Sequence, residues 1–177
     1  MNRLNWGCGP FASYGWINSD IASWPGVQVV ADIRHGLPLP NDHFDYIVSI
    51  HSLPELAYSE LDAALRELRR VLKPGGVLRL GLPDMDRAIK AYLDNDHDYF
   101  LVEDDVVSSI AGKMIVQLTW HGTSRSMFTY DFIRELLERN GFRDVVRCQY
   151  QQTASRCEGI LELDNRPLES LFVEAVK

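Results

Sequence analysis

Apolar residues in this chain come mostly as short unbroken runs, separated by polar turns or by stretches with helical spacing. Four runs fall early: Arg3 to Trp6, Trp16 to Ser19, Val27 to Ala31 and Phe44 to Ile50. Each predicts a strand, and the last three end on a polar residue: Asp20, Asp32 and His51. Runs without alternation are expected of strands covered on both faces. The pattern then lengthens. Leu61, Leu65, Leu68 and Leu72 recur at helical spacing, with Arg66, Glu67, Arg69 and Arg70 between them, so Ser59 to Leu72 reads as a helix capped by Ser59.

"KPGG" at 73–76 should stop that helix and turn the chain into a fifth strand, Val77 to Leu82. In "FTYDFIRELLERNGF", Thr129 caps a second helix with Phe132, Ile133, Leu136 and Leu137 inward, and Asn140-Gly141 ends it. Phe142 to Gln151 and Ser170 to Val176 read as two late strands. Residues 94–128 carry the weakest pattern, helical in part and long enough to cover something. Strands alternating with crossovers imply an α/β fold with a mostly parallel sheet, and the late pair suits an antiparallel edge. The early crossovers are short: residues 7–15 lie between the first two strands, where a parallel connection normally takes a dozen or more.

Length and composition narrow the setting. The 177 residues suit one domain spanning 1–177, and 46% hydrophobic with 24% charged residues is ordinary for a globular protein. A net charge of −7 argues against a nucleic-acid partner held through phosphates. Cys8, Cys148 and Cys157 are odd in number and widely spaced, which fits a reducing compartment. No apolar run approaches the ~20 residues of a membrane span, so no membrane partner is expected and the chain reads as cytoplasmic. Oligomeric state is not legible.

The chemistry gathers at "LNWGCGPFASYGWINSD". A strand, a G-x-G turn and a carboxylate tipping the next strand suit a nucleoside: glycines let a ligand approach the main chain, and an acid can accept both ribose hydroxyls. "GCGPFA" formally satisfies the dinucleotide fingerprint G-x-G-x-x-G/A. That fingerprint needs a helix N-terminus for the pyrophosphate, and Pro10 to Gly15 leaves room for about one turn. A nicotinamide-dependent oxidoreductase is therefore the weaker reading.

The ordered set "LNWGCGP…GWINSDI…VVADIRHGLPLPNDHFDYIVSIHSLPEL…LRELRRVLKPGGVLRLGLPD" resembles the class I S-adenosylmethionine-dependent methyltransferases, specifically their small "methyltransferase type 11" members. The resemblance runs from residue 3 to about 85, and "YDFIRELLERNGFRDV" and "SLFVEAVK" are similar to the group's closing helix and strand. It implies a Rossmann-like, mostly parallel seven-stranded sheet with an antiparallel C-terminal strand. It implies S-adenosyl-L-methionine as cofactor and methyl transfer to a small-molecule O or N nucleophile. Gly7, Cys8 and Gly9 would lie beneath the methionine portion, with Asn5 in place of the usual acid bonding the loop. Asp20 would hold the ribose, Asp32 and Ile33 the adenine, and Ser49 and His51 would lie near the sulfonium. "HSLPEL" departs from the family's usual "H-x-L-E-H-L". That change, Asn5 and the short crossovers motivate the alternative of a non-catalytic module acting through a protein partner.

Around that frame, each candidate has a plainer reading. His51 and His121 are the candidate general bases; either could instead be a loop or packing histidine. Asp84 in "LPDM" could orient substrate or cap the helix that follows. Cys8 reads as a small space-filler, not a nucleophile. The acidic stretch 94–105 lacks the glycine and glutamate of a calcium loop, and the histidine spacing supports no metal. Residues 86–128 are expected to form a substrate-covering insertion.

Overall fold

The computed structural model describes residues 1–177. Its strands are β1 (Arg3–Trp6), β2 (Ile17–Asp20), β3 (Val29–Val30), β4 (Phe44–Ile50), β5 (Leu72–Pro83), β6 (Arg143–Cys148) and β7 (Ser170–Val176). Four helices intervene: α1 (Tyr58–Val71), α2 (Met85–Leu93), α3 (Ile110–Thr119) and α4 (Tyr130–Arg139). All seven strands form one sheet in the order β3-β2-β1-β4-β5-β7-β6. β7 is antiparallel to both neighbours, and every other pairing is parallel. The expected Rossmann-like α/β sheet with an antiparallel C-terminal strand is therefore present. No helix is long and apolar enough to cross a membrane.

The first two crossovers contain turns instead of helices. In residues 7–16, Phe11 N–H donates to Cys8 O at 3.0 Å and Trp16 N–H to Ser13 O at 3.4 Å. Arg3 fixes this loop from below: its Nε donates to Gly15 O at 2.8 Å, and its guanidinium lies 4.9 Å from the centre of the Trp16 ring. Without helices these loops leave Phe11, Tyr14, Ile21 and Trp24 exposed.

Several element boundaries differ from the sequence reading, each for a local reason. α1 begins at Tyr58, so Ala57, not Ser59, is the N-cap; the Glu60 carboxylate accepts from Ala57 N–H at 2.7 Å and does the capping. "KPGG" lies within β5 as a bulge. Leu72 pairs with Phe44 and Val77 with Tyr46, the residues between being looped out with Gly75 at φ +78°. β3 shrinks to Val29–Val30, and β6 stops at Cys148. Thr129 caps α4 as expected, its hydroxyl accepting from Phe132 N–H at 3.3 Å. Phe132 itself is only partly buried, the core face being Ile133, Leu136 and Leu137.

α1 and α4 cover one face of the sheet. Leu61, Leu65 and Leu68 of α1 pack with Ile133, Leu136 and Leu137 of α4 on Leu4, Ile47, Leu78 and Leu80. Each such fully buried aliphatic side chain contributes about 1.5–3 kcal/mol. The opposite face carries Trp16, Tyr46, Val48 and Val77 and is closed by Ile160, from the irregular segment 149–169. α2 and α3 form a satellite cluster with Ala88, Ala91, Phe100 and Leu118.

A buried charge cluster anchors the 149–169 segment. Arg79 of β5 has no exposed surface; its Nε and Nη2 donate to the Asp164 carboxylate at 2.8 and 2.6 Å, and its Nη1 to Glu174 at 2.7 Å. Nη1 also donates to Gln152 O, so both ends of the segment are tied to one guanidinium. The two sheet edges are guarded differently. β3 offers only two residues, whereas β6 carries Arg143, Asp144 and Arg147 and a register shift between Arg143 and Val146. Removing one partner of a buried ion pair leaves the other uncompensated, so Asp164→Ala should cost about 3–5 kcal/mol in urea unfolding. A loss below about 1 kcal/mol would mean that the cluster is not a net anchor.

Candidate active site

The parallel strands end along one rim of the sheet, and there the G-x-G turn is built. Gly7 and Cys8 N–H both donate to Ser19 O, at 2.7 and 3.1 Å, folding the chain back over the tip of β2. The Asp20 carboxylate completes the turn: Oδ2 accepts from Gly9 N–H and Oδ1 from Ala22 N–H, both at 2.8 Å. Beneath it, Asn5 Nδ2 donates to Asn18 Oδ1 at 3.0 Å and to Phe11 O at 3.3 Å. A neutral amide pair thus supports the loop where the family pattern has an acid.

The two glycines serve different needs. Gly7, at φ +68°, lies against Ser52; a Cβ there would come within 2.1 Å of Ser52 Oγ, which donates to Gly7 O at 2.7 Å. Gly9, at φ +52°, has nothing within 4 Å of where a Cβ would be, and it lines an open cavity of about 1100 Å³. That bare main-chain approach is what a bound nucleoside with an amino-acid arm requires.

Asn5, Gly7, Cys8, Gly9, Asp20, Asp32, Ile33 and His51 all line this cavity. Asp32 begins a single 3₁₀ turn, accepting from Arg34 N–H at 3.0 Å, and its carboxylate is gripped by Arg34 Nε and Nη2. That hydrogen bonding holds the Asp32 carboxyl below its usual range. The Cys8 thiol is pushed up to about 11 by burial and by the Asp20 charge, so it stays protonated and fills space. His51 has a left-handed backbone, φ +58°; its N–H donates to Gly81 O, and its Nε2 lies 2.8 Å from Ser170 Oγ. Burial, helped by the Arg166 charge, lowers His51 to about 3, so the ring is neutral at physiological pH.

Three expected residues are placed elsewhere. Ser49 is buried with its hydroxyl unpartnered and does not line the cavity. Strand alternation puts it on the same face as Ile47, toward α1 and α4, while Ile50 and His51 reach the cavity. His121 is exposed and off the cavity wall, because the chain passes through left-handed φ at Trp120 and His121 and brings Trp120 to the wall instead. Asp84 is buried as the N-cap of α2, accepting from Arg87 N–H, and is paired with Arg147 Nη2 at 2.7 Å. It borders only a small void beside His51, so the capping role holds.

Other wall residues gave weaker signals in the sequence. Ser52 and Glu55 come from "HSLPEL", where the family departure lay. Burial and the Asp20 charge raise Glu55, a carboxyl with no ion-pair partner. Trp120, Thr123, Ser124 and Arg125 belong to the segment with no clear pattern. That segment is stapled to the 52–56 turn: Arg125 and Ser126 N–H donate to Pro54 O, and Ser126 Oγ to Leu56 O at 2.6 Å. Arg166 arrives from the 149–169 segment, for which no motif exists.

The fold has counterparts among solved structures. A structure from Archaeoglobus fulgidus described as a SAM-dependent methyltransferase superposes with a TM-score of 0.64 over 100% of this chain and 86% of its own, at 16% identity. A Thermotoga maritima SAM-dependent methyltransferase, described as a "possible histamine N-methyltransferase", gives 0.62 over 99% and 82%, at 18% identity. The fold is that of the class I S-adenosylmethionine-dependent methyltransferases, as the motifs implied. In sequence, residues 17–80 match the family described as "Methyltransferase domain". Among curated relatives, the ubiquinone/menaquinone biosynthesis C-methyltransferase UbiE of Shewanella frigidimarina is 42% identical over 69 residues. That stretch is 37% of this chain, which spans only 27% of the relative's length.

The neutrality of His51 carries a pH prediction. Its folded-state value lies below the ordinary 6.5, so the unfolded chain takes up a proton first as pH falls, and the stability present above about 6.5 is lost toward 3. Relative to His51→Gln, the native protein should lose about 1.4 kcal/mol per pH unit between pH 6 and 4. Parallel urea-stability profiles of the two proteins over that range would refute the burial.

Proposed function

We propose that this chain is a S-adenosylmethionine-dependent methyltransferase acting on a small-molecule O or N nucleophile. One observation carries the reading: the bare main chain at Gly9, braced by Asp20, forms one wall of a cavity that also holds Asp32, Ile33 and His51. The similar proteins support methyl transfer in general; their descriptions include both C- and N-methyltransferases.

The residues fit the cofactor. Gly7 and Gly9 would lie under its methionine portion, Asp20 would accept from the ribose hydroxyls, and Asp32 with Ile33 would meet the adenine edge. Each Asp20 oxygen uses one lone pair on a backbone amide and keeps another for the ribose. When bound, the cofactor supplies a methyl group on a sulfonium, which needs no further activation. The chain therefore acts by alignment and by excluding water, and positioning alone supplies several kcal/mol. We assign the covering role to residues 86–128, with the described chain working as one unit. His51 serves as a neutral hydrogen-bond acceptor beside the reacting groups; with a value of about 3 it is a poor general base at neutral pH.

Calorimetry with S-adenosylhomocysteine tests the reading. The native protein should bind it, and Asp20→Ala should weaken binding by about 1–3 kcal/mol. Because Asp20 also braces the turn, Asp20→Asn should be run beside it, with melting temperature as the control for folding. Affinity unchanged in both variants would remove Asp20 from the site. A second reading, a module that works through a protein partner, draws on the exposed Phe11, Tyr14, Ile21 and Trp24. No cofactor binding at millimolar concentration would favour it over the first.

A further inference from the structure

The cavity wall has two ends. Asp32 follows β3 and Asp20 ends β2, so the residues assigned to the nucleoside occupy one side of the sheet rim. Gly7 and His51 follow the central β1 and β4. Beyond His51, toward β5 and β7, the wall is made by Trp120 at the end of α3 and Arg166 just before β7. Strands lie about 4.8 Å apart, so β2 and β5 are separated by roughly 14 Å along this rim. Nothing in the proposed cofactor contacts uses the far end.

Arg166 differs there from the other cavity cations. Arg34 is hydrogen-bonded to Asp32 and approaches Glu60 at 3.5 Å, and Arg125 meets Glu60 at 3.2 Å. Arg166 donates no side-chain hydrogen bond; its nearest carboxylate oxygen, on Glu169, is 3.7 Å away. Its guanidinium lies over Trp120, 4.8 Å from the ring centre, and apart from the loose ion pair with Glu169 its edge donors make no hydrogen bond within the chain. Both residues have left-handed backbones, φ +57° at Arg166 and +45° at Trp120, a strain that clusters at ligand sites. On the opposite side of the cavity the Asp32 charge is met by Arg34, while Asp20 and Glu55 have no ion-pair partner, so an anionic group is favoured at the Arg166 end over theirs.

Resting on the methyltransferase reading, we infer that Arg166, stacked on Trp120, binds an anionic group of the methyl acceptor, a carboxylate or phosphate. The planar fork of donors matches either group in a bidentate manner. The substrate class is thereby narrowed to small acids or phosphate esters with an apolar body, which Ile50 and Leu163 of the same wall would meet. The amino-acid carboxylate of the cofactor has the same chemistry, and the experiment separates the two sources.

S-Adenosylhomocysteine and 5′-methylthioadenosine, which lacks the amino-acid arm, are titrated into native and Arg166→Gln protein. Benzoate, phenyl phosphate and the neutral benzamide are then titrated into the S-adenosylhomocysteine-loaded forms by NMR. The expected result is S-adenosylhomocysteine affinity close to native in Arg166→Gln, with benzoate and phenyl phosphate binding weakened at least about tenfold. Arg166→Lys should fall between, keeping the charge without the fork. Anions binding no better than benzamide, or equally well to the variant, would overturn the inference while leaving the methyltransferase reading intact. A variant that loses S-adenosylhomocysteine affinity but not methylthioadenosine affinity would reassign Arg166 to the cofactor and also overturn it. Native protein that binds no S-adenosylhomocysteine would fell the methyltransferase reading, and this inference with it.

Discussion

The site depends on one carboxylate. Asp20 accepts two backbone amides, from Gly9 and Ala22, and so joins the loop after β1 to the loop after β2 across the sheet rim. A helix N-terminus would ordinarily organise such a loop; here the crossover 7–16 has none, and a side chain does the organising. The acid that would meet a ribose is thus also the acid that holds the glycines in place. The proposed recognition and the loop geometry would thus be coupled through a single group.

The rest of the cavity wall rests on a second anchor. The segment 149–169 has no regular structure, yet it delivers Leu163, Asn165 and Arg166 to the cavity. It can do so because Asp164, between them, is locked on Arg79 under the sheet. A bidentate contact in a dry interior fixes orientation as well as position. The third wall, from residues 120–126, is held by backbone donors meeting Pro54 O and by Ser126 on Leu56 O. Irregular segments therefore form much of the cavity wall through a few specific polar contacts, while α1 and α4 cover one face of the sheet.

This division explains what the sequence disclosed. Strands β1 and β4 were legible to the residue, because apolar runs bounded by turn residues fix them. The G-x-G turn, and the position of Asp20 at the tip of β2 on the same cavity, were legible because both lie in one contiguous stretch. Ser49 was misplaced because strand alternation reverses a side chain's face within one residue, and motif position alone does not give the phase. His121 was misplaced because left-handed geometry at Trp120 exchanges the two neighbours. Arg166 left no trace, since its place at the cavity arises from long-range packing between the C-terminal segment and Trp120 rather than from local spacing. "KPGG" was read as a full turn; in the structure the same residues bulge out of β5 and the strand continues.

The guarded edges of the sheet have a bearing on how the molecule behaves in company. A seven-stranded open sheet exposes unpaired amides and carbonyls at its two margins, which are templates for joining another chain. At one margin β3 is too brief to seed a ladder, and at the other β6 is kinked by its register shift and studded with Arg143, Asp144 and Arg147. Crowding this protein should therefore not zip its copies together strand to strand. Any assembly it enters must be built from side-chain surfaces, not from an extension of its own sheet.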